Sequence, residues 1–446
     1  MNNNILSEGR LSTLYLQFVI PSVIAMVISG IQGMIDGIFL GNFVDANAMA
    51  SVNIANPYMQ VIVGATMIVC TGTLSYLGRT LGENNRKKAK DIFKSSVIAL
   101  LVLSIIILLL GVLFHKGIAV LLGANDVLLT SASQYIASIA FFTPVISFMI
   151  FFGFTDRLMG KPNLYPIATV FCLITNIVMD FIAVKILELG VIGAAIATGV
   201  SYLVGLMIVI RPVLSRKGIV NIFEGKFCWK IFSHSAFNGS SEGATYVSAA
   251  LTMLLFNRAF MSFAGEKGVA AFTVINYLGN FVTLIMFGVS DGISSIVSYN
   301  YGAGKLERVR KTFFSSVAIN FLWGVLLILV LKLHAEELIK IFLKNEPEIL
   351  QTAIKGAKIY ALSFFFSGFN IIQSGYHTSV GNALASFCIA ASRGIVFASI
   401  GITVLPYFFG INGVWATLPF AEIMTFFLCV GLMRVYRDLY FKPKEL

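Results

Sequence analysis

Twelve stretches of this chain are each about 20 or more residues long and carry almost no charge, which restricts its fold more than any other feature. They run roughly 14–40, 50–78, 92–114, 129–155, 163–185 and 191–212, then 231–262, 269–299, 312–332, 357–378, 382–405 and 411–433. About 20 helical residues, rising about 1.5 Å each, cross the hydrocarbon of a bilayer. Strands of a membrane barrel would be about half as long and would alternate in polarity, which these segments do not. Composition agrees: 57% of residues are hydrophobic and 12% charged, with a mean hydropathy of +0.87, far from soluble proteins. The expected class is an all-α polytopic membrane protein with twelve transmembrane helices.

The net charge of +11 would fit a nucleic-acid partner, but the lysines and arginines collect in short connections, where membrane orientation explains them. With the N-terminus inside, the inner segments hold 22 of them and the outer segments 8. Both termini are therefore expected in the cytoplasm. Five widely spaced cysteines, Cys70, Cys172, Cys228, Cys388 and Cys429, support neither a disulfide framework nor a zinc site. The polar start MNNNILSEGR lacks a cleavage pattern after it, so a removed signal peptide is not expected.

The two halves of the chain resemble each other. At an offset of 220, TGTLSYLGRTLGENNRKKAKDIFKSSV (71–97) meets DGISSIVSYNYGAGKLERVRKTFFSSV (291–317), sharing glycines, a serine, a phenylalanine and a final SSV. Asn56 falls on Asn276, and GVIG (190–193) on GING (410–413). Six spans per half is an even number, so both halves insert the same way up, as in transporters that rock two bundles about a central site. The expected domains are an N-lobe at 1–213, a cytoplasmic linker at 214–230 and a C-lobe at 231–446.

Ionisable groups inside spans are few. An ionised side chain deep in a bilayer costs about 2.5 to 3.5 kcal/mol even on lenient insertion scales, so such residues face protein or a wet cavity. Asp36, Asp180, Glu242, Asp291 and Glu422 are the acids; Arg258 and Arg393 are the bases. The excess of acid favours a cavity for cations. Each acid also has a plainer reading. Asp36 could sit at the outer interface if its helix ends there. Asn176 and Asp180, four residues apart on one helix face, could be a packing pair. Glu242 could be helix-terminal if Asn238 and Gly239 break the span, Arg393 and Glu422 could pair with each other, and Asp291 is ambiguous.

Catalytic motifs are lacking. NYGAGK (300–305) does not have the spacing of a phosphate loop and follows a span, so it reads as a cytoplasmic turn. No H-E-x-x-H or G-x-S-x-G occurs, and His115, His234, His334 and His377 are scattered. An enzyme is not expected. Pro21, inside the first span, removes a backbone donor and favours a bend or hinge.

The stretches MIDGIFLGNF with MASVNIANP, LGENNRKKA, MGKPN with TNIVMD, LGVIGAAIAT, SYNYGAGKLERVRK and INGVWATLPFAE, in this order and with the duplication, are similar to the multidrug and toxic compound extrusion (MATE) family, in its bacterial DinF-like or MepA-like branch. The resemblance covers almost the whole chain. It implies two six-helix lobes in a V around a central cavity, and a drug exchanged for Na⁺ or H⁺. The family's first-lobe cation site, a first-helix aspartate, an Asn-x-x-x-Asp pair and a sixth-helix threonine, falls on Asp36, Asn176, Asp180 and Thr198. Carboxylate, amide and hydroxyl oxygens suit Na⁺, and a buried carboxyl equally suits a proton. The family's hinge proline falls on Pro21. Glu242 looks like the seventh-helix glutamate that some members pair with a tenth-helix acid, but here the tenth span offers only Gln373, so a complete second-lobe ion site is in doubt. The positions 220 after Asp36 and Asp180 are Phe256 and Ile400. The implied protein is a monomeric secondary antiporter of the cell membrane that expels organic, often cationic, amphiphiles and needs no cofactor beyond its coupling ion. The alternative is a lipid-linked saccharide flippase of the same superfamily, which would need basic clusters in its cavity for a pyrophosphate.

Overall fold

A computed structural model of the protein describes residues 6, 8–44, 46–216, 218–340 and 347–441; Lys217, Lys344, Lys442 and Lys444, used above for orientation, lie outside them. The described chain is helical with no strand. Helix α1 (Ile20–Phe43) follows a π-helical turn at Tyr15–Val19; α2 is Ala46–Gly82 and α3 Arg86–Leu113. The fourth span, α4, is a pair, Leu129–Phe141 and Thr143–Leu158, bent by 52°, with Pro144 in the first turn of the second part, where its missing N–H is harmless. Then come α5 (Leu164–Asp180) and α6 (Gly190–Val209). In the second half α7 (Trp229–Gly265) and α8 (Lys267–Gly302) meet at Gly265, whose φ of 61° and ψ of −155° suit a residue without a Cβ. The last four are α9 (Leu306–Lys340), α10 (Phe364–Val380), α11 (Ala383–Phe409) and α12 (Ile411–Val435). Ten of these helices are long and apolar enough to cross a membrane and the bent α4 makes an eleventh. The remaining expected span is α10, entered from Pro347–Tyr360 through one 3-10 turn.

The duplication is visible in hydrogen bonds. After α2, Asn84 (φ 59°) and Asn85 donate their N–H groups to Leu81 O and Thr80 O; after α8, Gly304 (φ 72°) and Lys305 donate to Tyr301 O and Asn300 O. All four positions are 220 apart, and both turns are the same left-handed helix cap, which takes glycine or asparagine. NYGAGK is therefore the helix cap between α8 and α9.

The chain forms two compact units, Met1–Gly239 and Ser240–Leu446, divided inside α7. In the first, α5 packs between α6 and α1, and α2 packs on α3 and α4. The segment before α7 lies on this unit: Lys226 N donates to Asp91 Oδ1 (2.7 Å), Cys228 N to Ser95 Oγ (3.0 Å) and Lys94 Nζ to Ile222 O (2.7 Å). Lys90 pairs with Glu224 here and holds that exposed carboxyl below its ordinary value. Arg157, one of the 22 basic residues assigned from the sequence to the inner segments, is 1% exposed, with its guanidinium 4.2 Å from the Phe154 ring centre. The aromatic faces of Phe154 and Tyr165 cover a cation that a reading of charge alone leaves in water. In the second unit, α11 packs on α12 and α10 on α9 and α12. Its core centres on Phe256, Phe260, Phe272 and Trp415, with the Phe260 and Trp415 rings 4.3 Å apart.

Candidate ion and substrate sites

In the first unit the four residues singled out from the sequence converge. Asp36 is on α1 with seven helical residues still to follow, and it is 8% exposed, so it does not lie at a frayed helix end. Thr198, on α6, donates its hydroxyl to Asp36 Oδ2 at 2.9 Å. Asn176 and Asp180, on one face of α5, are both fully buried. They lie close enough to Asp36 to interact with it electrostatically, but outside good hydrogen-bond geometry. Asp36 Oδ1, Asn176 Oδ1 and Nδ2, and both Asp180 carboxylate oxygens are buried without a hydrogen-bond partner. At Asp180 the α-helix gives way to a π-helical turn, Phe181–Ile186, a departure that is frequent at functional sites.

Three neighbours escaped the sequence reading. Gln32, one turn before Asp36, donates to Ser201 Oγ at 3.2 Å, so α1 and α6 are tied twice, one turn apart. The signal was there: Gln32 is polar, in an uncharged run, and four residues from Asp36. Tyr135 of α4 and Tyr202 of α6 lie near the carboxylates; no spacing in the sequence links them to Asp36.

Two carboxylates side by side in a buried site cannot both stay ionised cheaply unless a cation or a proton joins them. Four unpartnered oxygens with an adjacent hydroxyl suit a hard cation. Among the described residues no group of three or more His, Cys, Asp and Glu could hold a metal ion, so softer metals find no ligand cluster.

The second unit is built differently. The helix runs unbroken through Asn238 and Gly239, which places Glu242 inside α7 and not at its end. Glu242 lines a cavity of about 20 Å³ with Ser290, Asn370, Ser374 and Arg393. Arg393 and Glu422 form the ion pair considered above, Nε to Oε1 at 2.6 Å. Asn370 Nδ2 donates to Glu422 Oε2 at 2.7 Å. Gln373 is elsewhere, accepting a 2.6 Å hydrogen bond from Tyr440. Phe256, the counterpart of Asp36 in the repeat, is wholly buried in the aromatic core, and Ile400 is 45% exposed.

The MatE family profile matches residues 21–182 and 244–403. The multidrug export protein MepA of Staphylococcus haemolyticus (strain JCSC1435) is 26% identical over 438 residues, 97% of this chain and 95% of the relative. MepA of Staphylococcus aureus (strain bovine RF122 / ET3-1) is 23% identical over 428 residues, 95% and 93% of the two chains. An outward-facing structure of a multidrug resistance MATE family transporter superimposes with a TM-score of 0.92 at 20% identity, covering 99% of both chains. A MOP superfamily transporter from Pyrococcus furiosus Vc1 (DSM3638) gives the same score, identity and coverage.

Proposed function

The chain belongs to the MatE family, and we propose that it is a secondary multidrug antiporter of the cell membrane, expelling organic, often cationic, amphiphiles in exchange for Na⁺ or H⁺ by alternating access. It is a transporter and not an enzyme in this reading, working as a monomer with both termini in the cytoplasm. Residues 1–213 and 231–446 are its lobes and 214–230 their linker.

The observation that carries the reading is the buried Asp36–Asp180 pair with its unpartnered oxygens. Empty and ionised, the pair is destabilised by its own repulsion and by lost hydration. Taking up Na⁺ or a proton removes that penalty and competes with the Thr198 hydroxyl for Asp36. Because Asp36–Thr198 and Gln32–Ser201 both tie α1 to α6, ion binding acts directly on how α1 is held. Pro21 supplies the place to bend. It has no N–H to give, the turn before it is already π-helical, and Ser22 Oγ bonds back to Phe18 O at 2.6 Å. Drug and ion then favour opposite states, and each drives the change only by its difference in affinity between them. Glu242 is the second-lobe acid available to a cationic substrate or to the coupling ion.

The flippase alternative fits less well: Arg393 is engaged by Glu422, and Arg258 is exposed on α7. The test is ethidium efflux in proteoliposomes, with a Na⁺ gradient and a pH gradient imposed separately. One gradient should drive efflux, and Asp36→Asn should abolish it. Unchanged ion-driven efflux in that variant would remove Asp36 from coupling. Unaltered dye affinity and transport in Glu242→Gln would reduce Glu242 to a structural acid.

A further inference from the structure

Arg393 stands on a π-helical turn of α11, Ser392–Val396, pressed against α7. Thr252 Oγ1 donates to Gly394 O at 3.1 Å. A Cβ on Gly394 would lie 2.2 Å from Ser248 Cβ, so only glycine permits this approach. The contact places Arg393 in the wall of the cavity that Glu242 also lines, a space of about 20 Å³, room for about one water molecule.

The partners in the ion pair are held unequally. Glu422 is 2% exposed, with one oxygen on Arg393 Nε, the other on Asn370 Nδ2, and its backbone carbonyl also bonded to Asn370 at 2.9 Å. Arg393 has a side chain 23% exposed, among the described residues bonds through Nε, and has its guanidinium 6.0 Å from the Phe287 ring centre. The fixed member is therefore the acid. The guanidinium retains donors and lines the same cavity as Glu242, which has Asp291 as a further acidic neighbour.

We propose that Arg393 is a resident counter-ion shared between Glu422 and Glu242, and that this sharing sets how strongly Glu242 attracts a positively charged substrate. One guanidinium cannot neutralise two carboxylates, and the surplus acid is what an organic cation satisfies. As the cation arrives, Arg393 withdraws to Glu422; when it leaves, the guanidinium reaches back toward Glu242 across the cavity they share. Neutral substrates do not meet this competition. Arg393 is thus a specificity-determining residue, and the inference rests on the reading of Glu242 as a substrate-contacting acid.

Breaking the same pair from its two ends distinguishes this role from a structural one. Binding of ethidium and of a neutral amphiphilic fluorophore is measured on the purified full-length protein, with melting temperature as the check on folding. Arg393→Gln should tighten ethidium binding about tenfold or more, the scale of deleting one like charge about 10 Å away at an effective dielectric of about 20. Glu422→Gln should weaken it by a similar factor, because the released guanidinium settles on Glu242. Neither should move the neutral probe. In a Glu242→Gln background both effects should vanish. Shifts in the same direction, no shift, or shifts that persist without Glu242 overturn the proposal while leaving Glu242 itself in place. Unaltered ethidium affinity in Glu242→Gln alone removes the underlying reading and this one with it. If Arg393→Gln does not fold, Arg393→Lys takes its place: keeping the charge, it should bind ethidium as the unmodified protein does, and Glu422→Gln alone must still weaken binding.

Discussion

Asp180→Asn offers a clean test of the buried pair, because Asp180 makes no hydrogen bond through either carboxylate oxygen. The exchange deletes a charge without deleting a bond and barely changes volume. Two like charges about 4 Å apart at an effective dielectric of about 20 repel by about 4 kcal/mol, an upper limit on what the variant gains in alkaline, Na⁺-free buffer. For a unit of this size about 1 kcal/mol moves the melting temperature by roughly 2 to 4 °C, so the variant should melt several degrees higher. The converse holds when the cation is present. A ligand at a hundredfold its Kd stabilises by about 2.7 kcal/mol, and the unmodified protein should show such a rise with whichever of Na⁺ or acid it couples to, whereas Asp180→Asn should show little. Unfolding in detergent can be followed with a thiol-reactive fluorophore, since Cys70 and Cys172 are buried in the first unit. A variant that melts no higher than the unmodified protein in Na⁺-free buffer and keeps the full ion-dependent rise would refute the idea that the pair is a cation site.

Thr198→Val removes the hydroxyl that donates to Asp36 and with which the ion competes; a hydrogen bond to a charged group is worth about 1.5 to 3 kcal/mol, so titration of ion-dependent stability should show an affinity about tenfold or more tighter. Gly394→Ala should destabilise the second unit by about 1 to 3 kcal/mol through overpacking on Ser248, read by thermal unfolding, and Ser248→Gly should restore much of the loss. At the linker, Lys90 holds Glu224 below its ordinary value of 4.5. The sign is that of a depressed carboxyl: the contribution is present above 4.5 and fades as pH falls through the lowered value. Glu224→Gln should therefore raise protease cleavage of the linker near neutrality by a small, salt-sensitive amount, and the difference from the unmodified chain should close on acidification.

Much of the fold was legible because the bilayer imposes long, continuous signals. Backbone groups in lipid must bond within a helix, so span number and order follow from hydropathy alone. The breaks did not follow from it. The bend between Phe141 and Thr143 and the π-turns at Phe181–Ile186 and Ser392–Val396 lie inside long spans, where hydropathy carries no information about winding. Arg157 was misplaced in water for a related reason, since a charge reads as exposed until the rings that cover it are known.

The sequence by itself determined that this chain is a twelve-span helical membrane protein, that it is duplicated at an offset of 220, and that its intramembrane acids outnumber its bases. It also named Asp36, Asn176 and Asp180, because polar groups stand out against apolar runs, and Thr198 through the family resemblance. Tertiary structure alone decided that these four meet, that Thr198 bonds one carboxylate while Asp180 bonds nothing, and that Tyr135 and Gln32 belong with them. It alone showed that Glu422 is clamped from two sides while Arg393 lines the cavity of Glu242. The physical reason is range: burial from lipid is written residue by residue along the chain, whereas the pairing of charges depends on which helices pack together and at what depth.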